Sequence, residues 1–139
     1  MSQLYQFSIP LPPSELSPNG RHHWAAKNRA INGTGGRGGY KGEVFALAWK
    51  AKPVALDPKP IRITFDWYMG PMPGYDYYRP RDADNAVAAM KAAIDGIKMA
   101  RWVPDDGHQW VKIGEPTLRR TKNDHQGRCE IVVTIEVLD

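Results

Sequence analysis

Two stretches in which every second residue is a large apolar one constrain the fold of this chain more than any other feature. The first runs from Ile61 to Tyr68 and the second from Ile131 to Val137. Side chains in a β-strand alternate between the two faces of a sheet, so each stretch predicts a strand with one buried face. Tyr5 to Ile9 predicts a further short strand, which ends at the PLPP run because proline cannot donate to a central ladder.

Two segments between these strands have the periodicity of amphipathic helices. Lys41 to Lys52 places Val44, Leu47 and Ala48 on one side, and the proline-flanked stretch after it ends the predicted helix. A second helix is predicted over roughly Asn85 to Met99. Its apolar stripe, which we expect to pack on the sheet, consists of Val87, Met90, Ile94 and Ile97.

The order of these elements defines the expected fold class. Residues 109–119 predict another strand with a kink at Gly114 and Pro116, so the order is strand, helix, strand, helix, strand, strand. This order lacks a regular βαβ rhythm, and the 139 residues fit one domain. We therefore expect residues 1–139 to form a single α+β domain, with a mixed β-sheet flanked by helices.

Composition narrows the class of protein and its compartment. The single cysteine, Cys129, excludes a disulfide framework and a cysteine-rich zinc site, and it suits a reducing cytoplasm. The opening MSQLYQFSIPLPP has no basic region followed by a long apolar one, so no signal peptide is predicted, and no apolar run predicts a membrane span. A net charge of +4 favours a polyanionic partner.

Four carboxylates gather around the second predicted helix of this basic chain. Asp82 and Asp84 precede it and point to the same side if the chain there is extended, while Asp105 and Asp106 follow it. Two like charges ~4 Å apart repel by about 4 kcal/mol at an effective dielectric near 20, so a cluster of acids requires a cation. Oxygen ligands favour Mg²⁺ or Mn²⁺ over zinc.

Basic residues lie beside these acids. Arg79 and Arg81 precede them and suit a phosphodiester, and Lys91 on the helix can reach back toward the aspartates because side chains lean toward the helix N-terminus. Simpler interpretations stay open at this point. Asp84 can be only a helix cap, Asp105-Asp106-Gly107 only a turn, and Lys91 only a solvated lysine.

The N-terminal third of the chain contains a second basic group. Its members can contact phosphates or form an ordinary solvated helix face: Arg21, His22, His23, Lys27 and Arg29. The glycine-rich NGTGGRGG segment has no GK[ST] sequence and no GxGxxG before a helix, so we expect no nucleotide cofactor. Trp24 and Trp49 are expected in the core rather than at DNA.

The sequence resembles the RusA family of Holliday-junction resolvases, which are common in phages and prophages. The resemblance lies in RPRDADN, the helix with Lys91 and Asp95-Gly96, the Asp105-Asp106 pair, and the N-terminal PLPPSELSPNGRHHW. It implies an α+β fold, a two-fold homodimer in the bacterial cytoplasm, and Mg²⁺- or Mn²⁺-dependent cleavage of four-way DNA junctions. It also implies an acidic triad of Asp82, Asp84 and Asp106, with Arg81 before it.

The resemblance also implies roles for the remaining residues and leaves other functions open. The family's helix lysine is nearest to Lys91, which here follows Asp84 by seven residues rather than four. Beyond the resemblance, we expect Asp105 to be either an alternative metal ligand or a residue that supports the other ligands. The alternatives are a nuclease acting on flaps or other branched DNA, a non-catalytic DNA-binding protein on the same scaffold, and a small-molecule phosphohydrolase.

Overall fold

In the computed structural model of the protein, the described residues form one five-stranded sheet. The structure describes residues 3–12, 29–33, 39–69, 87, 90–104, 107, 109–120 and 129–138. In chain order, its strands and helices are β1 (Gln3–Ile9), α1 (Gly39–Ala51), β2 (Ile61–Met69), α2 (Lys91–Met99), β3 (Val111–Ile113), β4 (Thr117–Arg120) and β5 (Cys129–Val137).

The sheet is mixed, which confirms the predicted class of a small single-domain α+β protein. β5 lies between β1 and β2 and is antiparallel to both of them. β3 and β4 both pair with β2 in the parallel sense, β3 at its beginning and β4 at its end. The connection from β2 to β3 is a crossover that contains α2, because parallel neighbours cannot be joined by a tight hairpin.

The two alternating stretches both form strands, as predicted, and the structure places them side by side at the centre of the sheet. Their inward-facing apolar residues are completely buried, and they pair with one another in register: Ile63 with Ile135, Phe65 with Val133, and Trp67 with Ile131. Large apolar side chains from one face of both strands therefore form the core, as the alternation predicts.

The strand predicted over residues 109–119 is present, and its kink divides it in two. The break between β3 and β4 falls at residues 114–116, where Gly114 N–H donates to the Ile63 carbonyl oxygen (2.8 Å). A Cβ atom at Gly114 would lie 2.5 Å from Thr64 Oγ1, so a larger residue there would displace the Thr64 side chain. The glycine therefore lets this edge of the sheet stay close to β2.

Helix α2 packs on α1, and the two helices run in the same direction. Gly96 of α2 lies against Lys41 and Phe45 near the start of α1. Further along the chain, the Trp102 indole Nε1–H donates to the Ala48 carbonyl oxygen at 3.0 Å. The chain after α2 thus meets the later part of α1, whereas α2 itself meets the beginning of α1, so the two helices are parallel.

The close approach of the two helices depends on the missing side chain at Gly96. A Cβ atom there would lie 2.8 Å from the Lys41 carbonyl oxygen and 3.1 Å from the Phe45 amide nitrogen. We expect Gly96→Ala to lower the free energy of unfolding by about 1–3 kcal/mol, because backbone atoms of α1 have to move to make room. Urea denaturation followed by circular dichroism measures this change.

Gly42 provides a matched control for that substitution. It also lies in a helix, α1, but a Cβ atom at Gly42 meets nothing within 4 Å. Gly42→Ala is therefore expected to raise the free energy of unfolding by about 0.5–1 kcal/mol, since alanine has the better helix propensity. Equal effects of the two substitutions would contradict the packing described for Gly96.

The second predicted helix is described in the structure from Lys91 to Met99. Met90 occupies its N-cap position without a side-chain capping bond. Met90 N–H donates to the Val87 carbonyl oxygen at 3.0 Å, which closes a tighter turn than that of an α-helix. The predicted start at Asn85 lies outside the described residues. Of the predicted apolar stripe, Met90 and Ile97 are fully buried.

Two predictions about α1 are wrong. Leu47 was expected on the buried side, but the buried residues are Tyr40, Val44 and Ala48, and Leu47 is exposed. Trp49 was expected in the core, yet 55% of it is exposed, and the Lys52 ammonium lies 5.1 Å from the centre of its ring. The physical reason is that the sheet and α2 cover only part of the surface of α1. Trp24, also expected in the core, lies outside the described residues.

Candidate functional site

Most of the predicted site residues lie outside the part of the chain that the structure describes. Two of them, Lys91 and Arg29, are described. The others are Asp82, Asp84, Asp105, Asp106, Arg79, Arg81, Arg21, His22, His23 and Lys27.

Lys91 is the first residue of α2, and its side chain is exposed. The first turn of this helix contains no acidic residue, and no side chain caps it. The macrodipole gives a helix N-terminus a partial positive charge, to which Lys91 adds a full one. This end of α2 therefore favours anionic groups, either carboxylates from the preceding acidic segment or phosphates.

The N-terminal ends of both helices lie toward the end of β2. The Tyr40 hydroxyl, near the start of α1, donates to the Pro10 carbonyl oxygen at 2.6 Å, and burial raises the pKa of Tyr40 above its ordinary value. Pro10 follows β1, whose last residue pairs with Ile131, and Ile131 pairs with Trp67 near the end of β2. Since α2 runs alongside α1, Met90 lies toward this same end.

Gly107 and Trp110, which follow the second acidic pair, lie toward the start of β2. Ile61 N–H, at the start of β2, donates to the Trp110 carbonyl oxygen at 2.8 Å. Trp110 N–H in turn donates to the Gly107 carbonyl oxygen at 2.9 Å. Met90 and Gly107 are therefore separated by the length of α2, which is about 14 Å for its nine residues at the usual helical rise.

This separation defines what a shared metal site would require. Asp84 precedes Val87 by three residues and Asp106 adjoins Gly107, so the two acidic segments join the described chain at opposite ends of α2. A common site requires either that the chain before Val87 turns back along the helix or that the acids come from two subunits. Within the described residues, no three His, Cys, Asp or Glu side chains form a cluster that could hold a metal ion.

Arg29, expected to contact phosphate, lies in a helical turn at residues 29–32 and is exposed. It lines a cavity of about 300 Å³ together with Tyr40 and Glu43 of α1 and Leu11. This cavity lies at the same end of the sheet as the start of α2, since Tyr40 is bonded to Pro10 there. Arg29 and Lys91 thus place positive charge at one end of the molecule.

A separate basic pair, Lys98 and Arg101, lies at the C-terminal end of α2 and was not predicted from the sequence. Lys98 and Arg101 line a cavity of about 530 Å³, whose wall also includes Asp57, Met99 and Trp102. Arg101 has a φ of 61°, a left-handed conformation that side-chain-bearing residues adopt infrequently. The sequence signal was present in the run KMARW, in which two basic residues end a helix just before the second acidic pair.

Comparisons with known proteins do not identify the chain. No protein-family model matches it, and no curated protein matches it at a significant level. Among the described helices, none has the length and apolar composition needed to cross a membrane.

Proposed function

We propose that the protein is a metal-dependent endodeoxyribonuclease that resolves four-way DNA junctions in the bacterial cytoplasm, in recombination, repair or phage DNA processing. The observation that carries this proposal is the order of charges along one crossover. An acidic segment with Asp82 and Asp84 precedes α2, a second with Asp105 and Asp106 follows it, and basic residues accompany both. Carboxylates suit a metal ion, and adjacent cations suit a phosphodiester.

The described cations support this arrangement at each end of α2. Lys91 is exposed at the N-terminal end, seven residues after Asp84. Lys98 and Arg101 lie at the C-terminal end, just before the second acidic pair. A DNA strand that approaches either acidic segment therefore meets positive charge, which offsets the repulsion between its phosphates and the carboxylates.

The donor set fits a hard divalent cation. Asp82, Asp84 and Asp106 would hold Mg²⁺ or Mn²⁺, since carboxylate oxygens are the ligands these ions prefer, and Asp105 would orient them. When bound, such an ion supplies Lewis-acid activation of water and neutralises charge on the phosphate. Lys91 and Arg81 would bind the non-bridging phosphate oxygens and stabilise the charge that develops there.

The proposed reaction is hydrolysis of one phosphodiester in each of two opposed strands. The water oxygen forms a bond to phosphorus while the bond from phosphorus to the 3′ oxygen breaks, which leaves a 5′-phosphate and a 3′-hydroxyl. Two symmetric cuts require two active sites, so the proposal includes a two-fold homodimer. The phosphates of the junction arms would be contacted by Arg79 and by basic residues of the N-terminal region: Arg21, His23, Lys27 and Arg29.

A substrate comparison tests the proposal. Purified protein with Mg²⁺ is incubated with a four-way junction, a flap and a linear duplex of equal length, and the products are resolved on denaturing gels. We expect paired, symmetric cuts in the junction and at least about tenfold slower cleavage of the duplex, because only the junction matches two opposed sites. EDTA should abolish the cleavage.

The other outcomes separate the remaining functions. Equal cutting of all three DNAs would indicate a general nuclease and contradict junction resolution. Junction binding without cleavage in Mg²⁺ or Mn²⁺ would indicate a non-catalytic DNA-binding protein. Turnover of a chromogenic phosphodiester without salt-sensitive DNA binding would indicate a small-molecule phosphohydrolase.

A further inference from the structure

Strand β1 forms one edge of the sheet in the part of the chain that the structure describes. All seven of its residues, Gln3 to Ile9, pair with β5. β5 pairs with β2 on its other side, so the described sheet order begins at β1. Backbone N–H and C=O groups on the outer side of β1 therefore have no strand partner among the described residues.

The two edges of the sheet differ in how well they are protected against pairing. The edge formed by β3 and β4 consists of strands of three and four residues, whose sequences, VKI and TLRR, contain three basic residues. Short strands and charged residues are the usual means by which proteins prevent edge-to-edge association. β1 has neither, because it is longer and its sequence, QLYQFSI, contains no charge and no proline.

The side chains of β1 leave apolar surface accessible on both faces. Leu4 is 64% exposed on the face away from the helices. Tyr5 and Phe7 point to the helix side, where they are only half-buried, with ring centres 5.5 and 6.4 Å from that of Trp102. A strand that pairs with β1 would cover remaining surface of all three residues.

We propose that β1 is a docking surface for β1 of a second copy of this chain, so that the two sheets join into one across a two-fold axis. An antiparallel strand pair is compatible with a two-fold axis, and identical strands satisfy the same hydrogen-bonding groups on both copies. The net charge of +4 makes two copies repel, and an uncharged edge is where they approach at the lowest electrostatic cost.

Full overlap of the two strands defines the contacts. Gln6 is the central residue of β1 and lies opposite Gln6 of the second copy, while Tyr5 lies opposite Phe7. Directly opposed side chains in an antiparallel pair have Cβ atoms about 4.5–5.5 Å apart, so the aromatic rings meet on the helix side. About six to eight backbone hydrogen bonds form across the axis.

Sedimentation equilibrium without DNA or metal tests this interface. The wild-type chain is expected to sediment as a dimer with twice the 15.6 kDa chain mass. Gln6→Lys puts two like charges opposite each other at the axis, and we expect it to weaken dimerisation by up to about fivefold. Ile113→Lys, which adds the same charge to an exposed apolar residue at the other edge of the sheet, should leave dimerisation unchanged.

Two further variants make the test specific. Gln6→Ala removes the hydrogen bond from Gln6 Nε2 to Thr134 Oγ1 without adding charge, and it should dimerise like the wild type. An equimolar mixture of Gln6→Lys and Gln6→Glu should dimerise at least as well as the wild type, because opposite charges then face each other. A wild-type monomer at all concentrations, or a Gln6→Lys dimer of unchanged strength, would overturn the proposal.

This interface rests on the two-fold homodimer included in the proposed function, and the variants separate failure of the interface from failure of the nuclease proposal. Sedimentation reports the interface whether or not the protein cleaves DNA. Conversely, one outcome is that the wild-type protein makes paired cuts in a junction while the Gln6→Lys variant still dimerises like the wild type. That result would support the proposed function and contradict the β1 interface. An unrelated peptide strand bound at β1 in place of a second copy would appear as a wild-type monomer, which counts against the proposal.

Discussion

Asp84→Asn is expected to reduce cleavage of a four-way junction by at least about a thousandfold, a loss of about 4 kcal/mol of transition-state stabilisation. In the proposed site, the amide would replace a charged ligand of the divalent ion with a weaker neutral one while keeping the size of the side chain. Binding of the junction should be retained or strengthened, since one negative charge that faces the phosphates is removed. Single-turnover cleavage on gels and fluorescence anisotropy in Ca²⁺ measure the two effects.

Glu115→Gln is the matched control for this variant. Glu115 is an exposed glutamate between β3 and β4, and it is not among the proposed metal ligands. The same change of charge there should leave cleavage within about twofold of the wild type, because an exposed charge outside the site is screened by solvent. If the Asp82→Asn and Asp84→Asn variants both cleave the junction at the wild-type rate, the proposed site is wrong.

Mixing two inactive variants distinguishes the two ways in which the acids can meet. If each site takes Asp84 from one subunit and Asp106 from the other, a heterodimer of Asp84→Asn with Asp106→Asn contains one intact site and nicks the junction. If both residues of a site come from the same subunit, the mixture stays inactive. The position of Met90 and Gly107 at opposite ends of α2 makes this the informative experiment.

Trp102→Ala is expected to cause the largest loss of stability, about 3–5 kcal/mol. Trp102 is 1% exposed, follows α2, and joins three elements. Its ring contacts Tyr5 and Phe7 of β1, and its indole N–H donates to the Ala48 carbonyl oxygen of α1. Alanine would leave a large cavity between β1 and the two helices and remove that hydrogen bond.

Trp102→Phe is the control that separates packing from hydrogen bonding. Phenylalanine keeps an aromatic ring beside Tyr5 and Phe7 but cannot donate to Ala48, so we expect a smaller loss than for alanine. Urea denaturation at constant pH gives the free energy of unfolding for each variant. A Trp102→Ala protein within about 1 kcal/mol of the wild type would contradict the central position of this residue.

The strands were predictable because a period of two is a local property of the chain. The stretch from Ile61 to Tyr68 and the stretch from Ile131 to Val137 both form strands with one buried face. The kink at Gly114 was equally predictable, since glycine and proline act on the backbone directly. Periodicity does not specify which strands are neighbours, however, and the parallel pairing of β3 and β4 with β2 depends on the crossover through α2.

The candidate site was predictable only as a set of residue types. The spacing of the acids around a helix and the basic residues beside them indicated a metal and a phosphate. Lys91 is exposed at the start of α2, which fits both the proposed role and an ordinary solvated lysine. The run KMARW shows that Lys98 and Arg101 precede the second acidic pair, but their position beside a cavity depends on where α2 ends against the connection from α1 to β2.

By itself, the sequence determined the strands, the approximate helices and the charges around α2, because each of these follows from local periodicity or residue chemistry. Only the tertiary structure decided which helix faces are covered. It exposed Trp49 and Leu47, made Gly96 a point of close helix contact, and left β1 at an edge of the described sheet. The physical reason is that burial depends on which elements meet in space, and the intrinsic preferences of a short segment do not contain that information.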